Sequence, residues 1–219
     1  MATLDLDNFD SVRAHLRKQL QDALPGTAAH LRMAPTPRPG WKPGEIPGEA
    51  REAAGLLLIY PEAQPKVVLT VRSHELPTHK GQVSLPGGMA EDGETLEETA
   101  LREAQEEAGI DTHLVHVEGR LTPLYIPVSK FVLHPFVGFS EEPPELVAEE
   151  REVSRILEVP LSTFTQAEYR AYEKRDILGM SRTVPYFAIE GEKLWGATAM
   201  VMAELLWLLG APPPPPRAR

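Results

Sequence analysis

The stretch GGMAEDGETLEETALREAQEEAGI, Gly87 to Ile110, constrains this chain more than any other. It carries eight acidic residues and a single arginine, Arg102. Thr95 followed three residues later by Glu98 is a capping-box pattern, so a helix begins near Leu96. Gly109 followed by Ile110 ends it, because glycine readily takes the left-handed conformation that closes a helix. The spacing predicts a helix of about 13 residues. Glu103, Glu106 and Glu107 fall at i, i+3 and i+4, which share one face at about 100° per residue. The opposite face carries Leu96, Ala100, Leu101, Ala104 and Ala108. Its small alanines let the helix approach a sheet closely, which holds the acidic face rigid.

Like charges at that spacing repel when solvated, and repel more inside a cleft, where their pKa values rise. A bound divalent cation reverses that cost. Mg²⁺ takes hard oxygen ligands: one or two carboxylates, waters and substrate phosphates. Gly87-Gly88, just before the helix, lets the backbone come near such an ion, so a carbonyl there is a further candidate ligand. The Arg102 fork is suited to hold a carboxylate in orientation.

The rest of the chain narrows the function class. The 219 residues fit one domain with decorations and can bury a real core. A net charge of -10 argues against a nucleic-acid backbone as the main partner, yet leaves open an anionic small substrate neutralised by a metal or a local basic patch. With no cysteine, disulfides, thiolate catalysis and Cys-ligated zinc are excluded. The start, MATLDLDNFD, lacks the basic-then-apolar pattern of a signal peptide. The most apolar run, Trp195 to Gly210, contains Glu204 and is shorter than the ~20 residues of a membrane span, so it reads as a buried helix. A cytoplasmic protein with no membrane partner is expected.

Along the chain, Leu4, Leu6, Phe9, Val12, Leu16 and Leu20 suggest an N-terminal helix. Residues 34–49 are rich in Pro and Gly and read as a connector. β-type runs follow at 54–60 and 66–72, then, beyond the helix, at 121–128 and 131–139. An acidic loop spans 140–152, and TVPYFAIEGEKLW reads as a hairpin before the final helix. The division expected is 1–49 helix and connector, 50–210 the main domain, and 211–219 a disordered proline tail. The order of strands and helices implies an α/β sandwich with a mixed sheet.

The acidic stretch is more than a solvated Glu-rich face. Gly88, Glu94, Arg102, Glu103, Glu106, Glu107 and Gly109 stand at fixed spacings. At roughly 6% usage each, chance gives that set on the order of 10⁻⁹ per start. It resembles the Nudix box, G-x5-E-x7-R-E-U-x-E-E-x-G-U with U bulky and aliphatic, and departs from it only at Ala104, on the packing face. The resemblance implies an α/β/α sandwich and an enzyme that hydrolyses a nucleoside diphosphate linked to another group, using Mg²⁺ or Mn²⁺. It implies Glu103 and Glu107 as leading metal ligands, Glu106 on a second ion or through water, and the Gly87 carbonyl as a backbone ligand. Arg102 and Glu94 would orient these groups. The general base is expected from Glu152 in the acidic loop, ahead of Glu149 and Glu150, with Glu103 or Glu106 as alternatives.

The residues before the box, LTVRSHELPTHKGQVSLPGG, resemble the signature of the coenzyme A pyrophosphatase branch. Pro77 stands where that branch has arginine, and Leu85 where it has phenylalanine. VPYF at 184–187, LWGATA at 194–199, and the pair Glu152-Val153 and Val159-Pro160-Leu161 resemble it too, so the likeness spans roughly residues 50–209. By that resemblance Arg72, Ser73, His79, Lys80 and Gln82 are the expected substrate-binding residues. The products would be 3′,5′-ADP and 4′-phosphopantetheine. Rival readings are a Nudix hydrolase for ADP-ribose, NADH or another nucleoside diphosphate derivative, and a catalytically silent nucleotide-binding module. A homodimer is compatible with either.

Overall fold

The computed structural model describes residues 4–37, 42, 44–75, 80–177 and 179–214. Its centre is β1 (Arg51–Tyr60), whose run AGLLLIY is buried on both faces. Leu57 and Ile59 enter one core, while Ala54, Leu56, Leu58 and Tyr60 enter another. That double burial explains why the run is continuous rather than alternating. β2 (Lys66–Arg72) returns antiparallel to β1, but the two pair only through Ile59↔Val67 and Tyr60↔Lys66. Beyond that point they part.

The chain re-enters the gap. β3 (Val83–Ser84) pairs with β2, and β4 (Gly87–Met89) pairs with β1 through Ala53↔Met89, Ala54↔Gly88 and Gly55↔Gly87. The peptide before the acidic helix is therefore wedged between two strands. The acidic helix itself, Leu96–Ala108, is 13 residues long as its spacing predicts. It is α3 in chain order, after α1 (Phe9–Gln19) and the short α2 (Thr27–His30). Its reciprocal Thr95–Glu98 capping box is formed, and Gly109 closes it at φ 70°. Ala100, Ala104 and Ala108 are fully buried against the β1 face.

The sheet is completed by β5 (His116–Arg120), β6 (Leu124–Ile126), β7 (Phe131–Phe139) and β8 (Val153–Pro160). β7 runs parallel to β1 from Arg51↔Phe131 to Ile59↔Phe139, and β8 pairs antiparallel with β2. These make a mixed eight-stranded sheet. A separate antiparallel sheet holds β9 (Arg170–Ile177), β10 (Met180–Ile189) and β11 (Glu192–Trp195). On the face of the main sheet away from α3 lie α1, α2 and α4 (Gly196–Leu208). The architecture is the α/β/α sandwich with a mixed sheet.

Several boundaries differ from the sequence reading. The N-terminal helix starts at Phe9, because the Asn8 side chain accepts from Ser11 N–H and caps it there. The apolar stretch 121–128 forms only three residues of strand, Leu124–Ile126. β5 and β9 are absent from the reading. β5 is intermediate or exposed throughout, and β9 is charged and only half-covered, so neither shows an apolar alternation. Val12, Leu16, Met33 and Ala34 share the main core, so residues before 49 contribute to it directly. Pro213 is buried and its carbonyl accepts from Arg32 at 3.2 Å, so packing continues past residue 211. Residues 215–219 lie outside the described residues.

Candidate active site

The wedge and α3 bring the candidate carboxylates together. Gly87 and Gly88 are required here by close approach. A Cβ on Gly87 would lie 2.4 Å from the Ala54 carbonyl oxygen, and one on Gly88 would lie 2.4 Å from the Glu103 carboxyl group. Any side chain at 88 would therefore occupy the space of a candidate ligand.

The three glutamates that helical spacing places on one face have different surroundings. Glu107 is 2% exposed, Glu103 is largely covered, and the Glu106 side chain is 60% exposed. Glu107 accepts from Gly87 N–H at 3.2 Å and faces Arg72 Nη1 at 3.5 Å. Burial pushes its carboxyl up to about 7, opposed by the Gly87 N–H and Arg72 and reinforced by Glu103 and Glu152. Burial also raises Glu103, against the pull of Arg102 and with the help of Glu106 and Glu152. The carboxylate of Glu152, at the end of the acidic loop, thus acts on both buried acids. Its backbone carbonyl accepts from Ser73 N–H at 2.7 Å, which ties the loop to the residues that follow β2.

Arg102 organises the outer half. Its Nε and Nη2 hold Glu94 at 2.6 and 3.2 Å. Its Nη1 donates to Glu103 and Glu106, each at 2.9 Å, and Nη2 also reaches the Met89 carbonyl at 3.1 Å. The Arg102 bond holds Glu94 down at about 2, helped by the Glu91 N–H and by the Thr99 hydroxyl. Buried Thr99, which donates to Glu94 at 2.9 Å, was not among the residues singled out from sequence. A threonine inside a helix carries no local mark of such a partner.

Of the flanking residues, Arg72 brings its guanidinium against this cluster. Its Nε is buried and without a partner among those residues. Ser73 is buried, and Gln82 accepts from Arg72 N–H through its backbone carbonyl at 3.0 Å. Lys80 is exposed. His79 lies outside the described residues, as does Pro77. Clefts lined by Lys42, Glu45, Pro47 and Tyr125, and by His30, Thr122 and Leu124, lie beside the connector and share no residue with the carboxylates.

Among the described residues, no three acidic or histidine side chains converge on one point as metal ligands. Arg102 draws Glu103 and Glu106 outward, while Gly87 and Arg72 hold Glu107. The donor set still fits a hard divalent cation. Glu103 and Glu107 each disfavour the other's charge, and a cation shared between them reverses that sign. Such an ion needs only one or two carboxylates when phosphates and water complete its shell.

The family model described as NUDIX domain matches residues 49–178. The chain belongs to the Nudix hydrolases, enzymes that act on nucleoside diphosphate derivatives and generally use divalent metal ions. The Yersinia enterocolitica protein named "Uncharacterized Nudix hydrolase NudL" is 36% identical over 167 residues, covering 75% of this chain and 84% of its own length. Nudix hydrolase 15, mitochondrial, of Arabidopsis thaliana is 35% identical over 163 residues, covering 69% of this chain and 56% of its own length. The crystal structure of RenU, a Nudix hydrolase from M. smegmatis, shares the fold at a TM-score of 0.53 and 20% identity, covering 77% of this chain and 91% of that one. No helix among the described residues is long and apolar enough to cross a membrane.

Proposed function

We propose that this Nudix hydrolase cleaves the diphosphate of coenzyme A, or of its acyl or oxidised derivatives, to 3′,5′-ADP and 4′-phosphopantetheine. The observation that carries this reading is Arg72. It comes from the flanking signature, yet its guanidinium stands 3.5 Å from Glu107 of the box and keeps a buried Nε without a partner among the described residues. The flank and the box are parts of one site, and that nitrogen is a donor suited to a substrate phosphate oxygen.

Glu103 and Glu107, with the Gly87 carbonyl, are the groups to hold Mg²⁺ or Mn²⁺, with Glu106 on a second ion. The ion supplies neutralisation of the diphosphate charge and an acidic environment for water. Arg102 and Glu94 keep Glu103 and Glu106 in place. Arg72 binds a phosphate oxygen and withdraws charge from it. Glu152 takes the proton of the attacking water as its oxygen bonds to one phosphorus and the bridging P–O bond of the diphosphate breaks, the other phosphate leaving as an anion. Ser73, Lys80, Gln82 and His79 bind the remainder of the substrate.

The test is incubation of purified protein with Mg²⁺ or Mn²⁺ and coenzyme A, with ADP-ribose and NADH in parallel, and identification of products by mass. Release of 3′,5′-ADP from coenzyme A, far faster than cleavage of the others, is the expected result. Cleavage of ADP-ribose or NADH alone would overturn the coenzyme A reading and keep the chemistry.

A further inference from the structure

A second basic site lies outside the carboxylate cluster, on the three-stranded sheet. Arg182 of β10 is 3% exposed, and its Nε and Nη2 are both buried without a hydrogen-bond partner among the described residues. These two nitrogens form one edge of the guanidinium, the edge that grips an oxyanion with two parallel bonds. At two other arginines the same edge is filled. Arg102 spends it on Glu94 at 2.6 and 3.2 Å, and Arg17 spends it on Glu118 at 2.7 and 2.7 Å. Arg182 presents the same edge with no carboxylate on it among the described residues. A buried charge in that condition is costly unless an anion completes it.

The neighbours point to the charge of that anion. Arg175 of β9 stands directly across from Arg182 in the antiparallel register, so the two side chains share a face. Like charges placed so repel. Arg175 is held in place by Glu173 and by the Trp195 ring, 4.4 Å from its guanidinium carbon to the centroid. Lys193 joins the same Glu173 and lies over Tyr186, at 5.1 Å. Arg175 and Lys193 thus share the carboxylate of Glu173, while Arg182 has no carboxylate on its Nε–Nη2 edge among the described residues, on a chain whose net charge is -10. A phosphate monoester carries about -1.5 to -2 at neutral pH and offers three acceptor oxygens.

We propose that the Arg175–Arg182 pair is a binding site for a phosphate monoester, either inorganic phosphate or the monoester of a nucleotide. Arg182 grips two oxygens through Nε and Nη2. Arg175, preset by Trp195, takes the third. The site does not depend on which diphosphate the enzyme cleaves.

The test is calorimetric titration of the full chain in EDTA, so that the carboxylate cluster holds no metal. The probes are inorganic phosphate, 3′,5′-ADP and 5′-AMP. Wild type is expected to bind at least one of them, and Arg182→Gln to weaken that binding tenfold or more, while Arg17→Gln, at an exposed arginine outside both sites, leaves it within threefold. Tighter binding of the nucleotides than of phosphate assigns the monoester to a nucleotide; equal binding assigns it to free phosphate. Arg182→Lys keeps a charge but loses the two-donor edge, and it is expected to lose most of the affinity as well. It serves where Arg182→Gln does not fold. Full retention of binding in either folded variant overturns the proposal. So does absence of binding to wild type, including the case where Arg182→Gln instead abolishes self-association seen by light scattering, which would assign the edge to a carboxylate of a second copy.

Discussion

Replacing Glu107 by glutamine tests the cost of the buried acid and its use together. In the folded chain the Glu107 carboxyl titrates near 7, against an ordinary value of 4.5. A raised folded-state pKa means that the native state holds the proton more tightly than the unfolded chain does. The stability it contributes is fully present below about 4.5 and is lost as pH rises to about 7. The shift corresponds to a ceiling of about 3 kcal/mol at alkaline pH. The side-chain amide of the Glu107→Gln variant keeps an acceptor for Gly87 N–H but turns its NH2 group, a donor, toward Arg72 Nη1, which offsets about 1 kcal/mol of the gain. In EDTA, the variant is therefore expected to match wild type at pH 5 and to exceed it by about 2 kcal/mol at pH 8, or about 4–8 °C in Tm for a chain of this size. Thermal melts at both pH values measure this. Added Mg²⁺ should raise the Tm of wild type at pH 8 more than that of the variant, and turnover of the variant should fall by orders of magnitude. A variant less stable than wild type at pH 8, or a difference that does not change with pH, would refute the burial argument. Retention of most activity would refute the metal role.

Three further outcomes follow from single contacts. Gly88→Ala places a methyl group where the Glu103 carboxyl now sits, so activity should fall more than tenfold while a urea melt changes by less than about 2 kcal/mol. Arg72→Gln removes a charged donor worth about 1.5–3 kcal/mol, so steady-state kinetics should show KM raised by about tenfold or more. Glu204 is fully buried and accepts from Gly26 N–H, from the amide and hydroxyl of Thr122, and from His30, so Glu204→Ala should destabilise the chain by about 3–5 kcal/mol in chemical denaturation. A loss below about 1 kcal/mol would show that those donors find other partners.

The carboxylate cluster was largely legible in the sequence because its positions are local. Glu103, Glu106 and Glu107 lie within one helix, and Thr95, Glu98 and Gly109 mark that helix's ends, so helical geometry alone sets their spacing. The central strands were legible for a related reason: AGLLLIY is a nearly continuous apolar run and KVVLTVR is one rich in β-branched residues, its interior interrupted only by Thr70, and a doubly covered strand favours both. β5 and β9 were not legible, because half-covered polar strands are specified by their partners rather than by their own pattern.

What the sequence by itself determined was therefore the helix, its caps, the central strands and the residue types available for chemistry. Only the tertiary structure decided what each charge faces. It buries Glu107 and leaves Glu106 in the open, though both lie on the helix face that carries Glu103. The difference comes from the β3–β4 wedge and the end of β2, which bring Gly87 and Arg72 against one carboxylate, while Arg102 holds the other at the rim. It gives Glu204, the single acid of the last helix, four donors from distant segments. It leaves Arg182 buried on β10 with none of the described residues on its Nε–Nη2 edge. Dielectric and hydrogen-bond partners belong to a place in the fold, and residues far apart in the chain supply them.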